Sequence, residues 1–341
     1  MSKQNTPPTE QKTSFTAKIN AFMAKAKEKF FNLYNRKFVV RGEKYHLGET
    51  AAAYTLLTPT IITLIILFVL PLLILLVLSV HEFRMTKGVL EFHGWKPKEF
   101  FANFIYLFTR DKFWKAMGNT VTFAVIKLGL DVILALCVAL MLDSRVWFRK
   151  IMRTIYFSPV VVPVVACSLI WLWFYDPTLG PFNQILSWFG IEPLQWLYHS
   201  DTAMMSIIIF SVWHGLGYNV VLLLSGLQGV SGEYLEAAKL DGASNMQIIW
   251  HIKLPILKPI INFVVMMGII NAFKAFSEVN VMTPDGGPGY STAMMVNYIY
   301  ELAFTNGRMG RGAAASIVLF LVIFALTTIR NKIGGSKEIY D

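Results

Sequence analysis

Four ionisable residues lie inside otherwise apolar stretches, at spacings that can do chemistry. Lys127 and Asp131 are four apart, and so are Lys274 and Glu278. On a helix, residues four apart share a face, and opposite charges there neutralise each other. A charge inside a membrane span costs about 2.5–3.5 kcal/mol on insertion scales, so one that persists is a functional candidate. Two readings stand side by side: the pairs line a hydrated path, or they are buried between helices and specify packing. A second constellation is Trp213-His214-Gly215-Leu216-Gly217-Tyr218-Asn219. Gly-x-Gly would loosen a helix and let backbone approach a ligand. Aromatic faces and amides suit a hydroxylated ring, whose C–H faces stack while its hydroxyls exchange hydrogen bonds. Aromatic residues in a span also serve plain packing.

Other chemistry is missing. No Gly-x-x-x-x-Gly-Lys-Ser/Thr phosphate loop is present, and Gly334-Gly335-Ser336-Lys337 is too short to be one. No His-Glu-x-x-His metal motif occurs, and no catalytic constellation emerges. The chain is expected to be no enzyme by itself, with no cofactor or metal of its own. Cys137 and Cys167 fall in apolar runs and read as buried small hydrophobes rather than a disulfide.

The elements that position these residues follow from composition. Of 341 residues, 55% are hydrophobic and only 15% charged, and the mean hydropathy is +0.51. A soluble chain carries about 25% charge. A bilayer explains the deficit, because each helical crossing needs about 20 apolar residues. Six spans are expected, at roughly 56–80, 117–142, 151–174, 203–228, 259–283 and 313–330, in a segment 51–333. The net charge of +10 reads as cytoplasmic flanking charge, not a nucleic-acid surface, since no recognition module accompanies it.

Residues 1–50 are polar and basic, without the apolar core of a signal peptide, so the first span is expected to stay uncleaved. Residues 13–38 have helical periodicity with interleaved lysines, which suits a helix on an anionic membrane surface or one packed on soluble parts of a complex. The loop at 143–153 carries Arg145, Arg149, Lys150 and Arg153, whereas 176–202 has no Lys or Arg. The first should be cytoplasmic and the second external, placing both termini, including the tail 334–341, in the cytoplasm. The loop 81–116 disagrees: it should be external yet carries Arg84, Lys87, Lys96, Lys98, Arg110, Lys112 and Lys115.

Between spans four and five, residues 231–259 read as two short helices. Ser231 caps the first, Asp241-Gly242 turns the chain, and the second starts near Ser244. Met246, Ile249 and Trp250 share a stripe, and Leu254-Pro255 is expected to end that helix. Glu236, Ala237 and Ala238 would let a knob dock closely into a groove, the carboxylate supplying direction; an ordinary amphipathic surface helix is the alternative.

The run Glu236-Ala237-Ala238, Asp241-Gly242-Ala243, Ile252-Lys253-Leu254-Pro255 resembles the EAA loop of ABC-importer permeases. Asn119-Thr120, residues 155–180, Trp213–Asn219, residues 227–238 and 282–292 extend the likeness to MalF-type permeases of carbohydrate importers, over residues 55–330. That resemblance implies an all-α membrane protein with the type I ABC importer fold, in a bacterial or archaeal inner membrane. It implies that Glu236, Ala237, Ala238, Asp241 and Gly242 meet a cytoplasmic ATPase. It also implies a second permease, two ATPase subunits holding ATP and Mg, and an extracytoplasmic solute-binding protein. It points to Gly215, Tyr218, Asn271, Lys274 and Ala275 on the substrate path, to which the residue types add Trp213, Asn219 and Glu278. Lys274 and Ala275 replace asparagines of the maltose permease, which argues against maltose and admits an anionic solute. Six spans are fewer than that permease's eight, and Pro284-Asp285 lengthens the usual Thr-x-Gly-Gly-Pro by one residue. The alternative reading is a self-contained transporter coupled to ions through Lys127/Asp131 or Lys274/Glu278.

Overall fold

A computed structural model of the chain describes residues 37–40, 43–86, 88–92, 100–144 and 149–334, together with positions 21, 23–25, 27–29 and 31. The chain forms two compact units that divide between Ile74 and Leu75. The first holds an antiparallel hairpin, β1 (Lys37–Val40) and β2 (Glu43–His46), followed by α1 (Leu47–Leu64). The helix expected over 13–38 lies mostly outside the described residues. Its end is corrected: Lys37-Phe38 open β1, where the Phe38-Val39-Val40 run favours extended backbone.

The chain continues through a π turn, Ile65–Val69, into α2 (Leu70–Ser79). The second unit adds the hairpin β3 (Phe83–Thr86) and β4 (Val89–Phe92) and the helix α3 (Ala102–Phe108). Then come α4 (Asp111–Asp143), α5 (Arg149–Val161), α6 (Val164–Phe174), α7 (Pro181–Trp188) and α8 (Ser200–Gln228). The rest is α9 (Gly232–Leu240), α10 (Asn245–Ile248), α11 (Leu254–Phe273), α12 (Ser277–Met282), α13 (Met295–Tyr300) and α14 (Met309–Gly334).

Among the described residues, five helical stretches are long and apolar enough to cross a membrane: Glu49–Ser79, Asp111–Asp143, Ser200–Gln228, Asn245–Phe273 and Met309–Ile333. A sixth exists if α5 and α6 count as one span, but they are bent by 100°. Pro163 lacks an N–H and disfavours helical geometry at Val162, so the helix breaks there. Span five also differs from expectation. It runs from Asn245 to Phe273 rather than over 259–283. Pro255 does not stop it, because a π turn at Ile249–Lys253 precedes the proline and the Leu254 N–H bonds to the Ile249 carbonyl. Widening the turn moves aside the carbonyl that the proline ring would strike. The same device, a π turn followed by Leu-Pro, occurs at Ile65–Val69 before Leu70-Pro71.

Two cores stack along α4. Near its Asp111 end the core is aromatic, with Phe113, Phe123, Trp171, Tyr175 and Phe210 buried. Near its Asp143 end it is aliphatic, with Ala135, Ala139, Leu142, Leu223 and Leu257. The segment between α6 and α8 is organised by Asn183, only 4% exposed. Its amide donates to the Pro177 and Leu194 carbonyls at 3.0 Å, and its Oδ1 accepts from the Leu194 N–H at 3.1 Å and the Trp196 indole at 2.9 Å. Both donors and both lone pairs are used.

Asn183→Leu should therefore lower the stability of the purified protein by about 3 kcal/mol, since buried partners lose their bonds. Denaturant titration in detergent micelles reads this, and an unchanged midpoint would refute the keystone role.

Candidate functional site

Lys127 and Asp131 sit where the two cores meet. They form an ion pair on one face of α4, with Asp131 only 2% exposed. The Asp131 Oδ1 is buried and, among the described residues, has no hydrogen-bond partner. Across from the pair is Gly215 on α8: a Cβ built there would meet the Lys127 Nζ at 3.7 Å. The first pair thus forms as its spacing suggests. It lies in a polar layer between aromatic and aliphatic packing.

The Trp213–Asn219 run is a continuous α-helix within α8, and its glycines do not loosen it. Gly217 is a packing site. A Cβ there would lie 2.0 Å from the Tyr156 carbonyl oxygen, so only glycine lets α5 approach. His214 Nε2 is 3.1 Å from the Val162 carbonyl, the group left open by the α5–α6 break. Trp213 packs on Trp171 with ring centroids 5.0 Å apart and remains partly open, as does Tyr218. Gly215 and Asn219 are half-buried on the same helix.

The second charge pair does not form. The helix ends at Phe273, Lys274 is its C-cap, and Glu278 belongs to α12. Among the described residues Lys274 and Glu278 make no ion pair, because their four-residue register exists only on an unbroken helix. Asn271 and Lys274 are exposed, Glu278 is half-buried, and Ala275 is packed in the aromatic core. The cysteines are both free, but Cys137 is exposed on α4 and only Cys167 is buried.

At the other end of α4, α9 stands out as a knob. Ser231 accepts from the Glu233 N–H at 3.3 Å, and Glu233 lies in the positive first turn. Gly242, at φ +82°, closes the helix: its N–H bonds to the Lys239 carbonyl and the Ala243 N–H to the Ala238 carbonyl. This is a Schellman cap, which needs a left-handed residue. Gly242 therefore shapes the turn, Asp241 is the C-cap, and Glu236 and Ala237 are exposed.

Ser244 and Gln247 form a capping box that starts α10. The stripe expected from Met246, Ile249 and Trp250 faces outward, with Met246 and Trp250 each 63% exposed, and Ile248 packs inward instead. Lys253 Nζ donates to Asp143 Oδ2 at 2.6 Å, tying the knob to the end of α4 across 110 residues of sequence.

The remaining motifs meet at the Asp111 end. Asn119 Nδ2 donates to the Tyr290 and Ala293 carbonyls at 3.0 Å, and Thr120 Oγ1 accepts from the Met295 N–H at 2.9 Å. The extra residue, Asp285, is accommodated at φ +57°. The basic residues described in the discordant loop are engaged. Arg84 pairs with Glu82 and holds its carboxyl below the usual range. Lys112 pairs with Glu301, Lys115 donates to the Gly289 carbonyl, and Arg110 lies over the Tyr106 ring. Lys87, Lys96 and Lys98 lie outside the described residues.

Residues 131–333 match the family model described as binding-protein-dependent transport system inner membrane component. The chain belongs to that family. The permease is 30% identical over 292 residues to the arabinooligosaccharides transport system permease protein AraP of Halalkalibacterium halodurans, covering 85% of this chain and 89% of that one. It is 30% identical over 295 residues to the trehalose/maltose transport system permease protein MalF of Thermococcus litoralis, covering 86% and 97%. Its fold matches a chain of a bacterial ABC transporter that imports the acidic polysaccharide alginate, with a TM-score of 0.73 at 23% identity over 86% and 97% of the two chains. The permease is thus a multi-pass inner-membrane transport component that works with a binding protein.

His214, Asn183, Asp143 and Lys253 gain their roles only in three dimensions, since their partners are remote in sequence or are backbone groups. Glycine contacts give the permease a sharp test. Gly217→Ala should destabilise it by about 1–3 kcal/mol, because the methyl must displace the backbone of α5. Gly215→Ala should stay within about 0.5 kcal/mol, as its methyl meets only a flexible lysine tip. Equal losses in a denaturation series would contradict the close approach.

Proposed function

We propose that the permease is one membrane half of an ATP-driven importer for a carbohydrate-like solute. Its partners are a second similar permease, two ATPase subunits that bind ATP and Mg, and an extracytoplasmic binding protein. The observation that carries this is the α9–α10 knob. It is rigidly capped and braced by Lys253–Asp143, yet it presents Tyr234, Leu240, Met246 and Trp250 uncovered around Glu236. Such apolar exposure beside a carboxylate suits a docking surface. With the knob in the cytoplasm, both termini are cytoplasmic too, and the engagement of Arg84, Arg110, Lys112 and Lys115 weakens the objection that the 81–116 loop raises to that orientation. The self-contained ion-coupled reading loses its second charge pair and leaves the knob without a purpose. The names of the relatives support a sugar or oligosaccharide as cargo, with Trp213, Gly215, Tyr218, Asn219, Asn271 and Lys274 facing it and Lys127–Asp131 shaping the polar layer.

Transmission through the knob requires its brace. In the reconstituted complex, Glu236→Lys should reduce solute-stimulated ATP hydrolysis and uptake about tenfold, the loss expected from one reversed charge-assisted contact. Asp143→Asn should retain ATPase binding but lower the ratio of solute moved to ATP hydrolysed. Wild-type uptake by Glu236→Lys would refute the docking role, and a wild-type ratio in Asp143→Asn would remove the brace.

A further inference from the structure

The Asp111 end of α4 holds a polar cavity, fifteen residues along the helix from Lys127. It measures about 220 Å³ and is lined by Lys112, Asn280, Asp285, Tyr290, Asn297 and Glu301, with Tyr300 at its wall. Its groups are fixed. Lys112 Nζ donates to Glu301 Oε1 at 3.1 Å, and the Tyr290 hydroxyl donates to Glu301 Oε2 at 3.0 Å. Burial and the neighbouring Glu301 carboxylate hold the Tyr290 phenol far above its ordinary value, so it stays a donor. Asn297 Oδ1 is screened from solvent and, among the described residues, has no hydrogen-bond partner.

Asp285 and Tyr290 both hold positive φ, +57° and +62°, a conformation non-glycine residues rarely adopt. Thr292 Oγ1 to Thr283 Oγ1, at 2.8 Å, and the two Asn119 bonds lock the loop that carries them. The wall is built before any ligand arrives. Tyr300 is 45% exposed, and its ring is backed by Phe276 at 5.3 Å and Phe304 at 5.1 Å.

The size admits roughly seven waters, or the body of one sugar ring, and is below the 300–1,000 Å³ typical of larger ligand pockets. Two carboxylates face one ammonium, so an anionic ring is disfavoured. We infer that this cavity is an entry subsite for a single neutral sugar ring. Asp285 and Glu301 accept from its hydroxyls, Asn280 exchanges hydrogen bonds with it, and Tyr300 stacks on its C–H face. Phe276 joins this wall to the segment that follows Lys274 in the chain. The inference rests on the carbohydrate reading above and narrows it to neutral cargo.

The test uses the assembled transporter in lipid nanodiscs without binding protein, and saturation-transfer NMR of methyl glucoside, methyl arabinoside and methyl glucuronide. The neutral glycosides should receive saturation and the glucuronide none. Tyr300→Ala and Asn280→Ala, both on exposed side chains, should each weaken the neutral signal about fivefold, the loss of one contact. Basal ATP hydrolysis should stay at the wild-type level in both, which shows that they are folded. Equal saturation of the glucuronide, neutral signals unchanged in both variants, or no neutral signal would overturn the subsite. Uptake of labelled neutral and acidic oligosaccharides by the full system is a separate arm. Uptake without a nanodisc signal removes the subsite alone, whereas uptake of neither removes the carbohydrate reading with it.

Discussion

An unpaired peptide group in hydrocarbon costs several kcal/mol, and that constraint organises this permease. Three irregularities in its spans are placed where something else completes the hydrogen bonding. The break at Val162-Pro163 leaves a carbonyl open, and His214 of α8 reaches it. The prolines at 71 and 255 sit just beyond π turns, where the widened ladder still finds partners. Close approach then depends on glycine, as at Gly217 against the Tyr156 carbonyl. The bent α5–α6 pair is a braced shape, held from α8 by one histidine and one missing side chain.

The charges obey the same logic at a different scale. Lys127 and Asp131 neutralise each other within one helix turn, so the polar layer between the two cores carries an ion pair rather than a bare charge. Among the described residues, Asp131 still has one oxygen without a partner. Above and below it the packing changes from aromatic to aliphatic.

The two ends of α4 are built for different purposes. At about 1.5 Å per residue its 33 residues span about 50 Å. At one end, Asn119, Thr120 and Lys115 fasten the 283–294 loop to the helix. At the other, Asp143 fastens the knob. A single continuous helix therefore touches the 283–294 loop, the charged layer and the α9–α10 knob.

Much of this was legible in the chain itself. Long apolar runs specify spans because a bilayer accepts little else, and Ser231, Asp241-Gly242 and Ser244 mark helix ends through local backbone chemistry. The EAA-type spacing likewise pointed to the family before any coordinates did. Local rules failed where the deciding partner was distant or where geometry could adapt. Lys274 and Glu278 read as a pair only on the assumption of a continuous helix, and Pro255 read as a stop because a π turn leaves no mark in composition. The Lys253–Asp143 brace, the His214 contact and the four bonds of Asn183 are absent from any window of sequence. They arise when separate segments meet in space, where burial makes each unpaired polar group costly enough to select its partner.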